Sequence, residues 1–117
     1  MPNPYRVAVV GLGRIGWLAD RDPVRPKPAS HVSAWQCCHR AQLVAVCDSA
    51  TDRMASKHAL DYLSVEDMLR LAGPFDIVSV ATPPSTHVEI VRALAEAKIP
   101  LIVCEKPLAP TVKDAEA

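Results

Sequence analysis

The stretch that decides the fold is Val7-Ala8-Val9-Val10-Gly11-Leu12-Gly13-Arg14-Ile15-Gly16, an apolar run that ends in three spaced glycines. Such a run is typical of a parallel strand that is buried on both faces. Gly11 permits a tight turn, Gly13 lacks the Cβ that would keep a phosphate away, and Gly16 lets the next helix pack closely on the strand. Glycines also serve ordinary strand-to-helix turns, so the motif alone leaves nucleotide binding and a plain turn as equal alternatives.

The composition fits one domain without a strong overall charge. The chain has 117 residues, half of them hydrophobic, and 13 basic residues balance 13 acidic ones. This length supports a single modest core, and the neutral charge disfavours nucleic acid and anionic membranes as partners. Because no apolar run reaches the roughly 20 residues of a membrane helix, the sequence predicts a cytoplasmic protein.

The four cysteines predict reduced thiols and no metal site. Cys47 and Cys104 lie in apolar, strand-like runs, whereas Cys37 and Cys38 are adjacent and lack the spacing of redox or zinc pairs. The Cys37-Cys38-His39 cluster is not expected to bind a metal, since consecutive side chains diverge on a helix and no second ligand pair follows. We expect a partly buried helix face there.

Strand-like and helix-like segments alternate along the chain. Apolar runs predict strands at residues 7–10, 43–48, 60–62, 75–81 and 101–104. Caps and helical patterns predict helices that begin after Ser30, near Thr51 or Asp52, after Ser64 and at Pro84. The proline-rich segment 21–28 interrupts this order as a lid or an insertion. The alternation predicts an α/β fold, a Rossmann-type doubly wound parallel sheet of about five strands in three αβα layers.

Polar residues follow the ends of these strands, although they are far apart in sequence. They are the glycine turn, Asp48, Thr82 to Pro84, and Glu105 to Pro107. In a doubly wound sheet the carboxyl ends of the strands meet around one crevice, where ligands bind. We therefore expect these residues to converge there, which supports nucleotide binding more strongly than the glycines alone.

Asp48 favours NAD over NADP. A carboxylate at the end of the second strand can accept hydrogen bonds from an adenosine ribose and would repel a 2′-phosphate. The alternative is an aspartate that caps the following turn. Asp48 comes later than the usual interval of about 20 residues after the glycine motif, and the proline-rich segment accounts for the difference. Ser49 and Arg53 are placed to contact a phosphate, so NADP stays open.

Two further blocks are candidates for the crevice. Thr82-Pro83-Pro84-Ser85-Thr86-His87 joins a strand to a helix, with either an ordinary connecting role or hydroxyl and N–H groups that face the crevice. A histidine in a first helical turn more often packs than catalyses. In the second block, Lys106 can present its ammonium to a substrate oxygen while Glu105 positions it. The alternative there is a surface charge pair.

Together these blocks resemble the Gfo/Idh/MocA family of NAD(P)-dependent oxidoreductases. The resemblance is carried by the glycine motif, by Leu43 to Asp48, by Val80 to His87 and by Val103 to Pro107, in the family's order. It implies that Lys106 is a catalytic residue and that the cofactor is bound by Gly11, Gly13, Arg14, Ile15, Gly16, Asp48, Thr82, Pro83, Pro84, His87, Glu105 and Lys106.

The resemblance also implies an organisation and a function. Residues 1–117 would be the NAD(P)-binding domain of a sugar, inositol or polyol dehydrogenase, without the second domain that family members normally carry. By themselves they are expected to bind cofactor with little or no turnover. Formation of a homo-oligomer stays open. The alternative is a stand-alone NAD-sensing or protein-interaction module without catalysis.

Overall fold

Five parallel strands form one sheet in the part of the chain that is described. The computed structural model describes residues 3–11, 30–48, 60–62, 64–106, 109 and 111–116. The strands are β1 (Tyr5–Val10), β2 (Ala41–Cys47), β3 (Leu60–Tyr62), β4 (Ile77–Val80) and β5 (Leu101–Cys104). Their order across the sheet is β3-β2-β1-β4-β5, with every neighbouring pair parallel. This is the doubly wound arrangement that the sequence predicts.

Four helices accompany the strands in the described residues. They are α1 (His31–Cys37), α2 (Val65–Ala72), α3 (His87–Glu96) and α4 (Val112–Glu116). The predicted serine caps are confirmed, because the Ser30 hydroxyl accepts the Ser33 N–H and the Ser64 hydroxyl accepts the Asp67 N–H. Gly73 follows the end of α2, and a Cβ there would lie 2.5 Å from the Leu69 carbonyl oxygen.

Helices pack on both faces of the sheet, which confirms the three-layer architecture. On one face, Val32 of α1 is buried against side chains from β1, β2 and β4, namely Val7, Val9, Leu43, Val46 and Ile77. On the other face, Met68 of α2 and Leu94 of α3 are fully buried among Ala8, Val10, Ala45, Cys47, Val78 and Val80. The chain therefore crosses from one face to the other between α1 and α2.

The sheet is not covered equally along its width. All four residues of β4 are buried, whereas burial alternates along the edge strand β5. Ile102 and Cys104 pack against the α2 and α3 side, but Leu101 and Val103 on the α1 side are 50% and 36% exposed. The helix α1 therefore covers the centre of its face and leaves the β5 side open among the described residues.

Three local features differ from the predicted boundaries. The helix α1 ends at Cys37, two residues before His39, and Cys38 caps it in an extended conformation. The helix predicted to begin at Pro84 starts as a 3₁₀ turn at Pro84–Thr86, and regular α-helix starts only at His87. In β2 the register to β1 shifts at Val44, an extra residue of the bulge type.

Arg6 ties α2 to the amino end of the sheet. Its guanidinium donates to the carbonyl of Ala72, the last residue of α2, at 2.6 Å and to the Pro74 carbonyl at 2.9 Å. The same group lies 6.0 Å from the centre of the Phe75 ring. A cation at the carboxyl end of a helix also opposes the negative end of its dipole. Arg6 therefore satisfies carbonyl groups that α2 leaves without internal partners.

We expect Arg6→Met to lower the free energy of unfolding by about 1–3 kcal/mol, because the aliphatic stem is kept while hydrogen bonds from a charged donor are lost. Urea unfolding at neutral pH measures the change. The matched control is Arg92→Met, since Arg92 is exposed on α3 and makes no hydrogen bond with the described residues. An equal effect of the two variants would contradict the role of Arg6.

Candidate functional site

Backbone hydrogen bonds between neighbouring strands continue into the residues that follow the carboxyl ends of the strands. These backbone bonds run from Gly11 N–H to the Cys47 carbonyl (2.7 Å), from Ala81 N–H to Val10 (2.8 Å), from Glu105 N–H to Val80 (2.9 Å) and from Asp48 N–H to Tyr62 (3.1 Å). The candidate residues Asp48, Gly11, Thr82 and Glu105 consequently lie in one row along the carboxyl edge. Three inter-strand steps separate the ends of this row, or about 14 Å.

The centre of the row is a contact between two backbones. Gly11 has φ +96°, a conformation that favours glycine, and a Cβ there would lie 2.8 Å from the Ala81 carbonyl carbon and the Thr82 nitrogen. The helices that follow the two strands, α1 and α3, pack on opposite faces of the sheet. Gly11 and Thr82 therefore flank the point where a doubly wound sheet opens its ligand crevice.

Asp48 stands at one end of the row with 8% of its surface exposed. Burial, followed by the charges of Asp48 and Asp67, raises the pKa of the neighbouring Cys47 thiol to about 11. That thiol stays protonated near neutral pH and is no nucleophile. Of the two residues, Asp48 and not Cys47 therefore remains the candidate for ligand contact at the end of β2.

The loop after β4 is held by its own side chains. The oxygen of the Thr86 hydroxyl lies 2.7 Å from the Pro83 carbonyl oxygen and 2.7 Å from the Thr82 hydroxyl oxygen. Because a carbonyl only accepts, Thr86 donates to Pro83, and Thr82 then donates to Thr86. His87, which is fully buried, donates from Nε2 to the Thr82 carbonyl at 2.6 Å. His87 thus holds the carbonyl of Thr82 at the start of this loop, and its predicted contact with a cofactor stays a prediction.

Glu105 and Lys106 stand at the other end of the row. The Nε2–H of His31 donates to the Glu105 carboxylate at 2.6 Å. Burial and the Glu105 charge raise the pKa of the Cys104 thiol. Lys106 is exposed, and it makes no hydrogen bond or ion pair with the residues that the structure describes. No described residue therefore engages its ammonium.

Several predicted site residues lie outside the described part of the chain. They are Gly13, Arg14, Ile15, Gly16, Ser49, Arg53 and Pro107, together with the proline-rich segment 21–28 and the helix predicted to begin near Thr51 or Asp52. Because the Gly11 N–H is taken by the Cys47 carbonyl, N–H groups for a phosphate would come from residues after Gly11. Phosphate contact through residues 13–16 stays a prediction.

The structure adds two polar residues that the sequence analysis did not single out. The sequence indicates His31 only as part of the helix that begins after Ser30, and its partner Glu105 is 74 positions away in the chain. Ser79 is fully buried in β4 and accepts a 2.7 Å hydrogen bond from the Trp35 indole N–H. A polar residue inside an apolar strand was the available signal for Ser79, whereas no local pattern indicated His31.

No metal centre or membrane helix is found in the described ranges. No group of three or more His, Cys, Asp or Glu residues there is arranged to hold a metal ion. No helix in the same residues is long and apolar enough to cross a bilayer. All four cysteines are free.

Comparison with known proteins identifies the family. The model of the Gfo/Idh/MocA oxidoreductase family, described as an NAD-binding Rossmann fold, matches residues 5–117. The chain belongs to this family. That result confirms the resemblance that the four sequence blocks indicate, and it agrees with the strand order of the sheet.

The proteins that this chain resembles are about three times as long as the chain itself. The rhizopine catabolism protein MocA of Rhizobium meliloti is 33% identical over 114 residues, which cover 95% of this chain and 32% of that protein. Inositol 2-dehydrogenase 1 of Paenarthrobacter aurescens is 32% identical, with 94% and 30% covered. The crystal structure of the WlbA dehydrogenase from Bordetella pertussis superposes with a TM-score of 0.78 at 29% identity, with 97% and 32% covered. The chain spans about a third of the length of these proteins.

We expect Gly11→Ala to lower the free energy of unfolding by about 2–4 kcal/mol, because the new methyl group meets strain at positive φ and a backbone collision at once. Thermal and urea unfolding measure the loss. Wild-type stability in this variant would show that the Gly11 turn and the loop after β4 do not touch as described.

Proposed function

We propose that this chain is the dinucleotide-binding part of an NAD(P)-dependent dehydrogenase that acts on a sugar, an inositol or another polyol. The observation that carries the proposal is the row of Asp48, Gly11, Thr82 and Glu105 along one edge. The row crosses the point where α1 and α3 diverge to opposite faces. A dinucleotide laid across that point has a carboxylate at each end and the backbone of Gly11 in the middle.

The residues present fit such a cofactor. The Asp48 carboxylate suits ribose hydroxyl groups, which donate hydrogen bonds to it. At Gly11 any Cβ would collide with the backbone of the loop after β4, so glycine lets the two loops begin side by side at the centre of the row. The phosphates would pass at this centre, and the two carboxylates lie away from it at the ends of the row.

The names of the relatives support the same class of substrate. D-xylose 1-dehydrogenase [NADP(+)] of Haloarcula marismortui is 31% identical, with 97% of this chain and 30% of that protein covered. The WlbA dehydrogenase was crystallised with NADH and UDP-GlcNAcA, and the inositol enzyme named above is a further dehydrogenase. These relatives favour a dehydrogenase over a non-catalytic NAD-sensing module.

We propose NAD as the preferred cofactor on the basis of Asp48. Its carboxylate is nearly buried at the β2 end, where a 2′-phosphate would bring further negative charge into a site with little water. The NADP(+) in the name of the xylose enzyme keeps NADP as the second choice. In this proposal the charge of the side chain at position 48 sets the preference between NAD and NADP.

Lys106 is the proposed catalytic residue. When bound, the nicotinamide would accept a hydride from a carbinol carbon or, in the reverse direction, give a hydride to the corresponding carbonyl carbon. The exposed Lys106 ammonium can then hold the substrate oxygen and assist transfer of its proton. Glu105 keeps its own carboxylate on His31, so it does not occupy the lysine. The part of the relatives beyond the matched third would orient the substrate.

Two attributes of the whole protein accompany this proposal. The four free thiols, two of them in the adjacent pair Cys37 and Cys38, support a reducing compartment and thus a cytoplasmic location. Association into a homo-oligomer stays a prediction.

Fluorescence titration with NADH and NADPH tests the cofactor. We expect NADH to bind at least about tenfold more tightly than NADPH, since one close charge repulsion of about 1.4 kcal/mol gives that ratio. Asp48→Asn removes the charge with little change of shape and should narrow the preference. Asp67→Asn is the matched control, because Asp67 is an exposed aspartate of α2.

Binding of neither nucleotide to the folded wild-type protein would refute the proposed function. An unaltered NADH to NADPH ratio in Asp48→Asn would refute only the role of that carboxylate.

We expect Lys106→Met to lower kcat by about 10²–10⁴-fold, the usual contribution of a positioned proton donor or acceptor. The measurement is the rate at which NAD⁺ oxidises myo-inositol or D-xylose, made on a form of the protein that is long enough to act on these probes. Lys106→Arg should not restore the rate, because a guanidinium keeps the charge but does not release its proton. An undiminished kcat in Lys106→Met would remove the lysine from the mechanism.

A further inference from the structure

Two side chains on one face of α1 reach across the sheet. His31 and Trp35 are four residues apart and therefore share a helix face. Trp35 donates from its indole nitrogen to Ser79 in β4 at 2.7 Å. His31, one turn nearer the start of the helix, donates to Glu105 just after β5 at 2.6 Å. The start of α1 is thus connected to the segment that carries Lys106.

The contact of His31 is placed where apolar packing is weak. On the α1 side of β5, Leu101 and Val103 are 50% and 36% exposed. Side chains that are half in water do not fix the direction of the next residue, because little apolar surface is buried around them. The His31 side chain is only 13% exposed, against 36% for Glu105. A hydrogen bond to a carboxylate in that setting is stronger than one in open water.

We propose that His31 is a positioning residue of the dinucleotide site, which holds the Glu105 carboxylate on α1 and thereby directs the chain through Lys106. This rests on the proposed binding of a nicotinamide dinucleotide at this edge. His31 itself does not touch the reacting atoms. It acts by keeping Glu105 engaged, so that the neighbouring ammonium is left for cofactor and substrate.

The polar contacts of the described residues are consistent with this division of roles. Glu105 is hydrogen-bonded to His31, and Lys106 makes no hydrogen bond or ion pair within the same residues. Without the imidazole N–H, the Glu105 carboxylate loses its partner and is free to pair with the adjacent ammonium. The backbone bond from Glu105 N–H to the Val80 carbonyl would remain. The change would therefore alter the end of the crevice and leave the strand in place.

The location of His31 predicts a selective effect on ligands. Glu105 and Asp48 lie at opposite ends of a row of about 14 Å. AMP carries only the adenosine half that Asp48 would hold, whereas NADH would also occupy the Glu105 end. Loss of the His31 contact should therefore weaken NADH and leave AMP unchanged. A general loss of structure would weaken both.

The experiment compares Kd for NADH and for AMP in four proteins by titration. We expect His31→Asn to raise Kd for NADH roughly tenfold, as for the loss of one hydrogen bond to a charged group. His31→Gln should restore wild-type binding, because its amide nitrogen reaches about as far as Nε2, whereas that of asparagine reaches only as far as Nδ1. His39→Asn is the matched control, since His39 is an exposed histidine just after α1.

The outcomes separate this proposal from the proposed function. Wild-type protein that binds neither NADH nor AMP overturns both. Wild-type binding with equal weakening of NADH and AMP in His31→Asn, or with no weakening of NADH, overturns the positioning role alone. Failure of His31→Gln to restore NADH binding overturns it as well.

A second comparison covers the case in which His31→Asn does not fold. If His31 acts through Glu105, then Glu105→Gln weakens NADH selectively, and adding His31→Leu, which keeps an apolar side chain of similar bulk but has no N–H donor, causes no further loss. A further tenfold loss in the double variant, of the size set by an independent hydrogen bond, would mean that His31 acts on the ligand by another route and would overturn the proposal.

Discussion

The contact between the Gly11 backbone and the Ala81–Thr82 peptide is the constraint on which the rest of the site depends. Two adjacent parallel strands, β1 and β4, end side by side and send their chains to opposite faces of the sheet. Their first loop residues can touch only because no Cβ stands between them. This closeness brings the two loops together at the centre of the row, and the strands on either side place Asp48 and Glu105 at its ends.

Much of this fold follows from local sequence patterns. The valine-rich run before Gly11 predicts a fully buried strand, and β1 is buried from Val7 to Val10. Ser30 and Ser64 predict the starts of α1 and α2, because a hydroxyl at that position satisfies a helix N–H that has no other partner. Once five strands alternate with helices, right-handed crossovers leave few orders for the sheet. The row of candidate residues at the carboxyl edge follows from that order.

The remaining features depend on contacts between distant parts of the chain. Nothing near His31 in sequence indicates Glu105, since the two meet only after β1, β4 and β5 have aligned. The extra residue at Val44 is equally hidden, because an apolar residue fits a regular strand and a bulge alike. The 3₁₀ turn at Pro84–Thr86 depends on the hydroxyl of Thr86 and the carbonyl of Pro83. Propensity alone reads that segment as the first turn of α3.

The hydrogen bond between Trp35 and Ser79 has an optical consequence. An indole that is bound by its N–H to a fully buried hydroxyl emits differently from one that is surrounded by water. Trp35 is rigidly attached to α1, and α1 begins beside the crevice with His31. Displacement of this helix from the sheet would therefore be visible in the intrinsic emission of the protein. Trp35 therefore lies one helical turn from His31 and can report a change in the position of that residue.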